Sequence, residues 1–254
     1  MSIKTSIANG VITIEIARPE KKNALTHAMY DAMRDALNAA QTHSEVRAAL
    51  ITGQPQAFTT GNDLQDFLES PPTSDDSSVS RFMQALLNFE KPVVAAVTGN
   101  AVGIGTTMLF HCDLVYVSED AKLAMPFVSL GLVPEFGSSF MLPHLVGHVK
   151  AAEKLLLGEP FTGVEAVQLG IANAALPAAE VLPHGRRVAE RFNALPAGAV
   201  RDSKRLLRAG LRQSLATAMS AEAAVFVERL KSPEAREAFQ AFIEKRKPDF
   251  AKTR

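Results

Sequence analysis

Apolar residues change their spacing several times along this chain, and each change marks an element. In "TSIANGVITIEIARP" (positions 5–19) β-branched residues alternate with polar ones on either side of Asn9-Gly10. That dipeptide tolerates positive φ at the centre of a type I′ turn, so a β-hairpin is predicted. From Thr26 to about Ala40 the period lengthens. Met29, Met33 and Leu37 recur every fourth residue, which predicts a helix capped by Thr26. "VRAALITG" (46–53) then reads as a short buried strand, "QPQAFTTG" (54–61) as a loop and "NDLQDFLE" (62–69) as a helix. The polar, Pro-broken "SPPTSDDSS" at 70–78 predicts a mobile connection.

The next unit repeats this order. A helix carrying Phe82, Leu86 and Phe89 leads to the strand "KPVVAAVTG", the loop "NAVGIG" and a helical "TTMLFHCD". "LVYVS" and "AKLAM" predict two more short strands. Strands alternating with helices indicate an α/β fold with largely parallel pairing. Beyond position 145 the pattern is mainly helical. Thr162 and Glu165 form a predicted capping box, and "PEAREAFQAFIEKRK" is a closing amphipathic helix. Most of this tail cannot bury a core alone, so it is expected to pack on the first part or on another subunit.

Composition narrows the function. With 27 basic and 27 acidic residues, no Trp and only 2 Tyr, the chain lacks the basic field and stacking aromatics of a nucleic-acid surface. Uncharged stretches such as 92–112 are broken by Gly, Thr and Asn, so no membrane span is expected. The single Cys112 allows no internal disulfide and suits a reducing compartment. "MSIKTSIANG" lacks the apolar run of a signal peptide, and "AKTR" is not a peroxisomal address, so a cytoplasmic location is expected.

Several local patterns do not support the chemistry they first suggest. Gly103 and Gly105 begin a dinucleotide fingerprint, but Met108 stands where a third Gly or Ala is needed. His144 and His148 are four apart, yet Gly147 interrupts them and no third ligand stands out, so a helix-end turn is expected and no metal site. Ser138 and Ser139 lie outside any nucleophile-elbow motif and are expected to start a helix, while His111 beside Cys112 is expected to be packed. "LGLVPEFGSSF" (130–140) is harder to dismiss. It sets Glu135 among apolar residues, and an unpaired buried carboxylate is costly. In addition, "ITG…TTGND" and "AVTGNAVGIG" each run from strand through glycine into a first helical turn. Two such turns can aim backbone N–H groups at one oxygen, although ordinary strand-to-helix turns have the same pattern.

"RPEKKNAL", "AFTTGNDL", "KPVVAAVTGNAVGIGTTM", "CDLVYVSEDAKLAMPFVSLGLVPEFGSS" and "LLLGEPFTGVEAVQLGIAN" follow one another in this order. Together they resemble the crotonase, or enoyl-CoA hydratase/isomerase, superfamily over nearly the whole chain. "AVGIGTTM" and "PFVSLGLVPE" are similar to its delta-3,delta-2-enoyl-CoA isomerase branch. The resemblance implies an α/β crotonase (ClpP-like) spiral of β-β-α turns over 1–195. A helical region over 196–254 would assemble a homotrimer or a dimer of trimers.

The resemblance also implies a site. It places the oxyanion-hole amides on Asn62 and Ile104, although many members carry Gly at the second position. It assigns Lys22, Ala24, Leu25, Ala57, Thr60, Asn62 and Leu64 to the walls that hold the coenzyme A thioester, and places Phe127 and Leu130 among the substrate-binding residues, with an ordinary core aromatic as the other reading of Phe127. Lys247 and Phe250 are assigned to the nucleotide end, with a solvated helix end as the other reading of "FIEKRKPDF". Hydratases of the family use two glutamates, and Thr107 and Phe127 stand at those positions here. Glu135 falls where the isomerase branch keeps its base, which gives the isolated carboxylate a purpose. The expected activity is therefore isomerisation of a 3-enoyl-CoA to trans-2-enoyl-CoA, with coenzyme A part of the substrate and no cofactor. Another acyl-CoA reaction on the same scaffold, or non-catalytic acyl-CoA binding, are the alternatives.

Overall fold

The computed structural model describes residues 2–71, 74 and 76–253, so positions 72, 73 and 75 of the connection expected to be mobile lie outside the described residues. The chain begins with the antiparallel hairpin β1 (Ile3–Ala8) and β2 (Val11–Ile16). Asn9 and Gly10 both have positive φ, 48° and 70°, as the primed turn requires. Helix α1 (His27–Thr42) follows, with the Thr26 side chain accepting from the Met29 amide.

Three successive strand pairs then define the architecture. They are β3 (Ala48–Thr52) with β4 (Ala57–Thr59), β5 (Val93–Val97) with β6 (Asn100–Val102), and β7 (Leu114–Ser118) with β8 (Lys122–Ala124). Between them lie α2 (Leu64–Glu69), α3 (Ser78–Asn88) and the single turn α4 (Ile104–Thr107). The first strand of each pair enters a six-stranded sheet and the second a four-stranded sheet. Their orders are β1-β2-β3-β5-β7-β10 and β4-β6-β8-β9, with β9 (Phe161–Thr162) and β10 (Ala174–Leu176) supplied later. Each β-β-α turn therefore advances both sheets by one parallel strand, which produces a spiral.

β3 and β5 are buried along their whole length, which accounts for their unbroken apolar sequences. Their alternate residues face two cores. Ala49, Ile51, Val93, Ala95 and Val97 point to the main core with α1 and α3. Ala48, Leu50, Val94 and Ala96 meet Val181, Val188 and Ala189 of a later helix, Ala178–Glu190.

The remaining helices are α5 (Ser138–Val146), α6 (His148–Ala152), α7 (Gly163–Gln168), α8 (Ala178–Glu190), α9 (Ala197–Ala209), α10 (Arg212–Leu230) and α11 (Pro233–Ile243). α7 has the anticipated capping box, and the His144–His148 stretch breaks at Gly147 between α5 and α6. The tail packs on the first part of the chain. Ala235 and Phe239 of α11 are buried in the main core, and Lys204 and Arg208 of α9 both hold Asp113, at 2.7 and 2.9 Å. Leu206, Leu207, Phe242 and Ile243 remain exposed on it. Among the described residues no helix is long and apolar enough to cross a membrane.

Three expectations need correction. "QPQAFTTG" and "NAVGIG" are not simple loops, because they contain β4 and β6. Three residues are too few to establish a period, and pairing with neighbouring strands decides them. The closing helix ends at Ile243 rather than Lys247, and Lys245 takes a positive φ of 53°.

Candidate active site

β4 and β6 are parallel neighbours, so the chain leaves both at the same sheet end. From β4 it passes through Thr60 and Gly61 to Asn62. From β6 it passes through Gly103 into Ile104, the first residue of α4. Gly61 has φ +87°, and a Cβ there would stand 3.0 Å from the Val102 carbonyl oxygen, so glycine lets the two exits touch. Leu25 bridges across Asn62: its N–H donates to Gly61 O and its carbonyl accepts from Asp63 N, both at 2.8 Å. The peptides flanking Asn62 are thereby fixed while its own N–H is left over. Among the described residues, neither the Asn62 nor the Ile104 N–H has a protein acceptor. The Asn62 side chain is also held, its Oδ1 accepting from the Tyr30 hydroxyl at 2.5 Å.

A polar frame braces this corner. Asn23 is fully buried in a left-handed conformation, φ 59°, which asparagine tolerates well. Its Nδ2 donates to Ala57 O and Phe58 O, and its Oδ1 accepts from Arg18 N. Thr59 Oγ1 donates to Asn23 O, and Thr60 Oγ1 to Lys22 O. Arg18 Nη1 reaches both Ala24 O at 3.0 Å and Asp63 Oδ2 at 2.7 Å. Burial acts to raise the Asp63 carboxyl, but Arg18 and the Gln65 and Asp66 amides outweigh it and hold the group below its ordinary value. Asp63 is thus engaged as a structural clamp and as the cap of α2.

Glu135 approaches from the segment between the Val128–Leu130 turn and α5. The next residue, Phe136, is buried at φ 58° with its carbonyl 2.7 Å from His111 Nε2, and its ring lies against the imidazole at 4.0 Å. Ser138 donates to Glu135 O through both N and Oγ. The half-buried Glu135 carboxyl receives a hydrogen bond from Thr107 Oγ1 at 2.5 Å. Thr107 lies three residues beyond Ile104 on α4, about 4.5 Å of helical rise from the amide that opens the turn. Burial is the main force on the carboxyl and pushes it up to about 8. The Thr107 hydrogen bond opposes this, and the charge of Glu222 adds to it. The Tyr30 phenol is raised by burial first, then by Glu135 and Asp66, so the Asn62 partner and the carboxyl sense each other.

This arrangement sets one carboxyl of raised proton affinity beside a corner that carries two backbone N–H groups without a protein acceptor among the described residues. A family model described as Enoyl-CoA hydratase/isomerase matches residues 6–253. The chain belongs to the enoyl-CoA hydratase/isomerase family. A probable enoyl-CoA hydratase of Bacillus subtilis is 32% identical over 254 residues, with 98% of each chain covered. The peroxisomal enoyl-CoA delta isomerase 3 of Mus musculus is 32% identical, covering 92% of this chain and 76% of its own. Among solved structures, Pseudomonas aeruginosa OdaA matches with a TM-score of 0.93 at 53% identity, covering 95% of this chain and 98% of that one. This enoyl-CoA hydratase/isomerase family member has the crotonase fold and is a crotonase-type acyl-CoA enzyme.

In this family member, the residues anticipated from the sequence fall into three groups. Lys22, Ala24, Leu25, Ala57, Thr60 and Asn62 are drawn into one corner by the hydrogen bonds above, with Leu64 opening α2 beside them. Phe127 is buried in the main core and Leu130 packs partly buried against it, on the turn leading to Glu135. Lys247 and Phe250 lie exposed beyond α11, and no hydrogen bond or ion pair among the described residues ties their side chains to this corner. Asn23, Tyr30 and Glu222 were not anticipated. Asn23 lies inside the quoted "KKNAL" motif, whereas Tyr30 and Glu222 have no local signal. The apparent isolation of Glu135 along the sequence is also corrected, because α10 brings Glu222 to it.

Proposed function

We propose that this enzyme is a delta-3,delta-2-enoyl-CoA isomerase in which Glu135 is the only base. The carrying observation is the half-buried Glu135 carboxyl, raised to about 8 and anchored to α4 by Thr107. A carboxylate with that proton affinity is suited to abstract a weakly acidic carbon-bound proton. Ionised Glu135 takes a proton from the α carbon of a 3-enoyl thioester, and the electron pair delocalises onto the thioester oxygen as a dienolate. The Asn62 and Ile104 amides receive that oxyanion, where loss of one such donor typically costs about 3–4 kcal/mol. Glu135 then returns the same proton to the γ carbon. The double bond moves from C3–C4 to C2–C3 and the base is regenerated, so the sequence balances without a cofactor.

Hydration would need a second carboxylate to position water. Asp63 is committed to Arg18, Glu119 is exposed on a turn after β7, and both oxygens of Glu222 are taken up by the Gly137 and Ser139 amides. In this reading the corner around Lys22, Ala24, Leu25, Ala57, Thr60, Asn62 and Leu64 receives the coenzyme A arm, while Phe127 and Leu130 bound the acyl tail. Lys247 and Phe250 would serve the nucleotide of a neighbouring subunit in a homotrimer or dimer of trimers, which the exposed apolar residues of α9 and α11 favour.

The test is 3-hexenoyl-CoA with wild type and Glu135→Gln, monitoring conjugated product. Wild type is expected to convert it, with activity rising as pH passes about 8, and the variant to lose about 10²–10⁴-fold. No product from wild type would reject the isomerase reading, and a fully active variant would reject Glu135 as base. The hydratase names among the relatives make crotonyl-CoA the second substrate to try. Slow hydration is expected, and brisk hydration would favour that reading instead.

A further inference from the structure

Helix α5 starts immediately behind Glu135 without a cap of its own. Its N-cap is Gly137, and the Ser138 hydroxyl is turned back to Glu135 O. The first amides of a helix need acceptors from elsewhere. They come from a residue far along the chain: Glu222 Oε2 accepts from Gly137 N at 2.6 Å, and its Oε1 accepts from Ser139 N at 2.8 Å. Of the 19 residues of α10, Glu222 alone is buried. No cation pairs with Glu222 among the described residues, so its carboxylate is met only by hydrogen-bond donors at the start of α5, from Gly137 and Ser139. Leu215 and Met219 of the same helix press on Gly137, where a Cβ would stand 2.2 Å from Leu215 Cδ1. The turn that carries Glu135 is therefore gripped at one end by α10 and at the other by the hydrogen bond from Thr107.

We propose that Glu222 is a positioning residue for the Glu135 base, fixing the start of α5 through two amides while standing as a second carboxylate behind the reacting one. This rests on the isomerase reading for its kinetic consequences, but its electrostatic part does not. The groups facing Glu135 are Thr107 from α4, Tyr30 from α1 and Glu222 from α10. Asp66 stands beyond Tyr30. His111 lies under Phe136 and is held by burial at about 4, hence uncharged near neutrality, with Arg208 behind it. Arg229 of α10 is engaged by Gly131 O and Glu234. Thus the nearby charge that modulates the base is negative. Glu222 keeps the proton on Glu135 to higher pH.

The experiment compares full-length wild type, Glu222→Gln and Glu135→Gln. An infrared titration follows the protonated-carboxyl band that disappears in Glu135→Gln, and pH–rate profiles are taken with 3-hexenoyl-CoA. In Glu222→Gln one amide loses its acceptor, because glutamine offers a single oxygen, and the negative charge is gone. The Glu135 band is expected to titrate at lower pH, the acid limb of kcat/KM to move with it, and kcat to fall about ten-fold with KM little changed. An unmoved band with wild-type kcat would overturn the proposal, as would a loss of thermal stability with both readouts unchanged. If Glu222→Gln does not fold, Glu222→Asp is used, whose shorter side chain draws the charge back from the Gly137 and Ser139 amides. The Glu135 band is expected to titrate at lower pH because the charge stands farther off, and an unmoved band would refute the coupling. Because the infrared readout needs no turnover, an inactive wild type would sink the isomerase reading while leaving this inference separately decided.

Discussion

Replacing Glu135 by glutamine preserves the shape of the side chain and its capacity to accept from Thr107, but removes the ionisable group. In the folded protein burial pushes that carboxyl up to about 8, from an ordinary value of 4.5. Between those two pH values the unfolded chain releases the proton while the folded chain retains it. The folded state then binds more protons, so stability falls as pH rises through this window and levels off above it. Each pH unit is worth about 1.4 kcal/mol, which sets a ceiling of about 5 kcal/mol on the whole window. Water reaching a half-buried group reduces this, and about 2–3 kcal/mol is the expected size. Glu135→Gln is exempt from the loss. It is therefore expected to match wild type near pH 4.5 and to exceed it by about 2–3 kcal/mol at pH 9, or about 5–10 °C in Tm for a chain of this length. Melting curves at both pH values, at one fixed protein concentration, provide the assay. A gap between the two proteins that is the same at both pH values would mean that Glu135 titrates like an ordinary carboxylate, and the argument from burial would fail.

Two further outcomes follow from contacts around the site. A Cβ on Gly105 would stand 2.7 Å from Thr59 Cγ2 and 2.9 Å from Thr59 O, so Gly105→Ala must push α4 away from β4; a loss of about 1–3 kcal/mol and a drop in kcat of at least about ten-fold are expected, and wild-type turnover would show that the two donor loops need not touch. Asp113→Asn leaves the buried Lys204 and neighbouring Arg208 without their carboxylate, which is expected to cost about 3–5 kcal/mol in urea denaturation; an unchanged midpoint would show that the ion pairs to Asp113 do not hold α9.

How much could be seen in advance depended on the range of the interaction. The Asn9-Gly10 hairpin, the Thr26 cap and the Thr162–Glu165 box are local, each involving residues a few positions apart, and all three are present. Glu135 was conspicuous because a carboxylate in an apolar stretch breaks the expected pattern. β4 and β6 were read as loops because strands of three residues take their conformation from neighbours 43 and 22 positions away in register. Glu222 was invisible for a stronger reason. Its partners lie 85 and 83 residues earlier, and on α10 it reads as one more solvent-facing acid. Tyr30 looked like an ordinary member of the apolar face of α1, since only its hydroxyl, 32 residues from Asn62, does anything distinctive.

The Leu25 bridge bears on thermodynamics as well as geometry. With Gly61 and Asp63 both tied to Leu25, the peptide presenting the Asn62 donor loses its freedom when the chain folds, long before a thioester arrives. Little ordering is left to occur upon association. Calorimetric titration with an unreactive thioester would then give a heat-capacity change set by the acyl tail it covers, growing with each added methylene, and almost none from a closing loop.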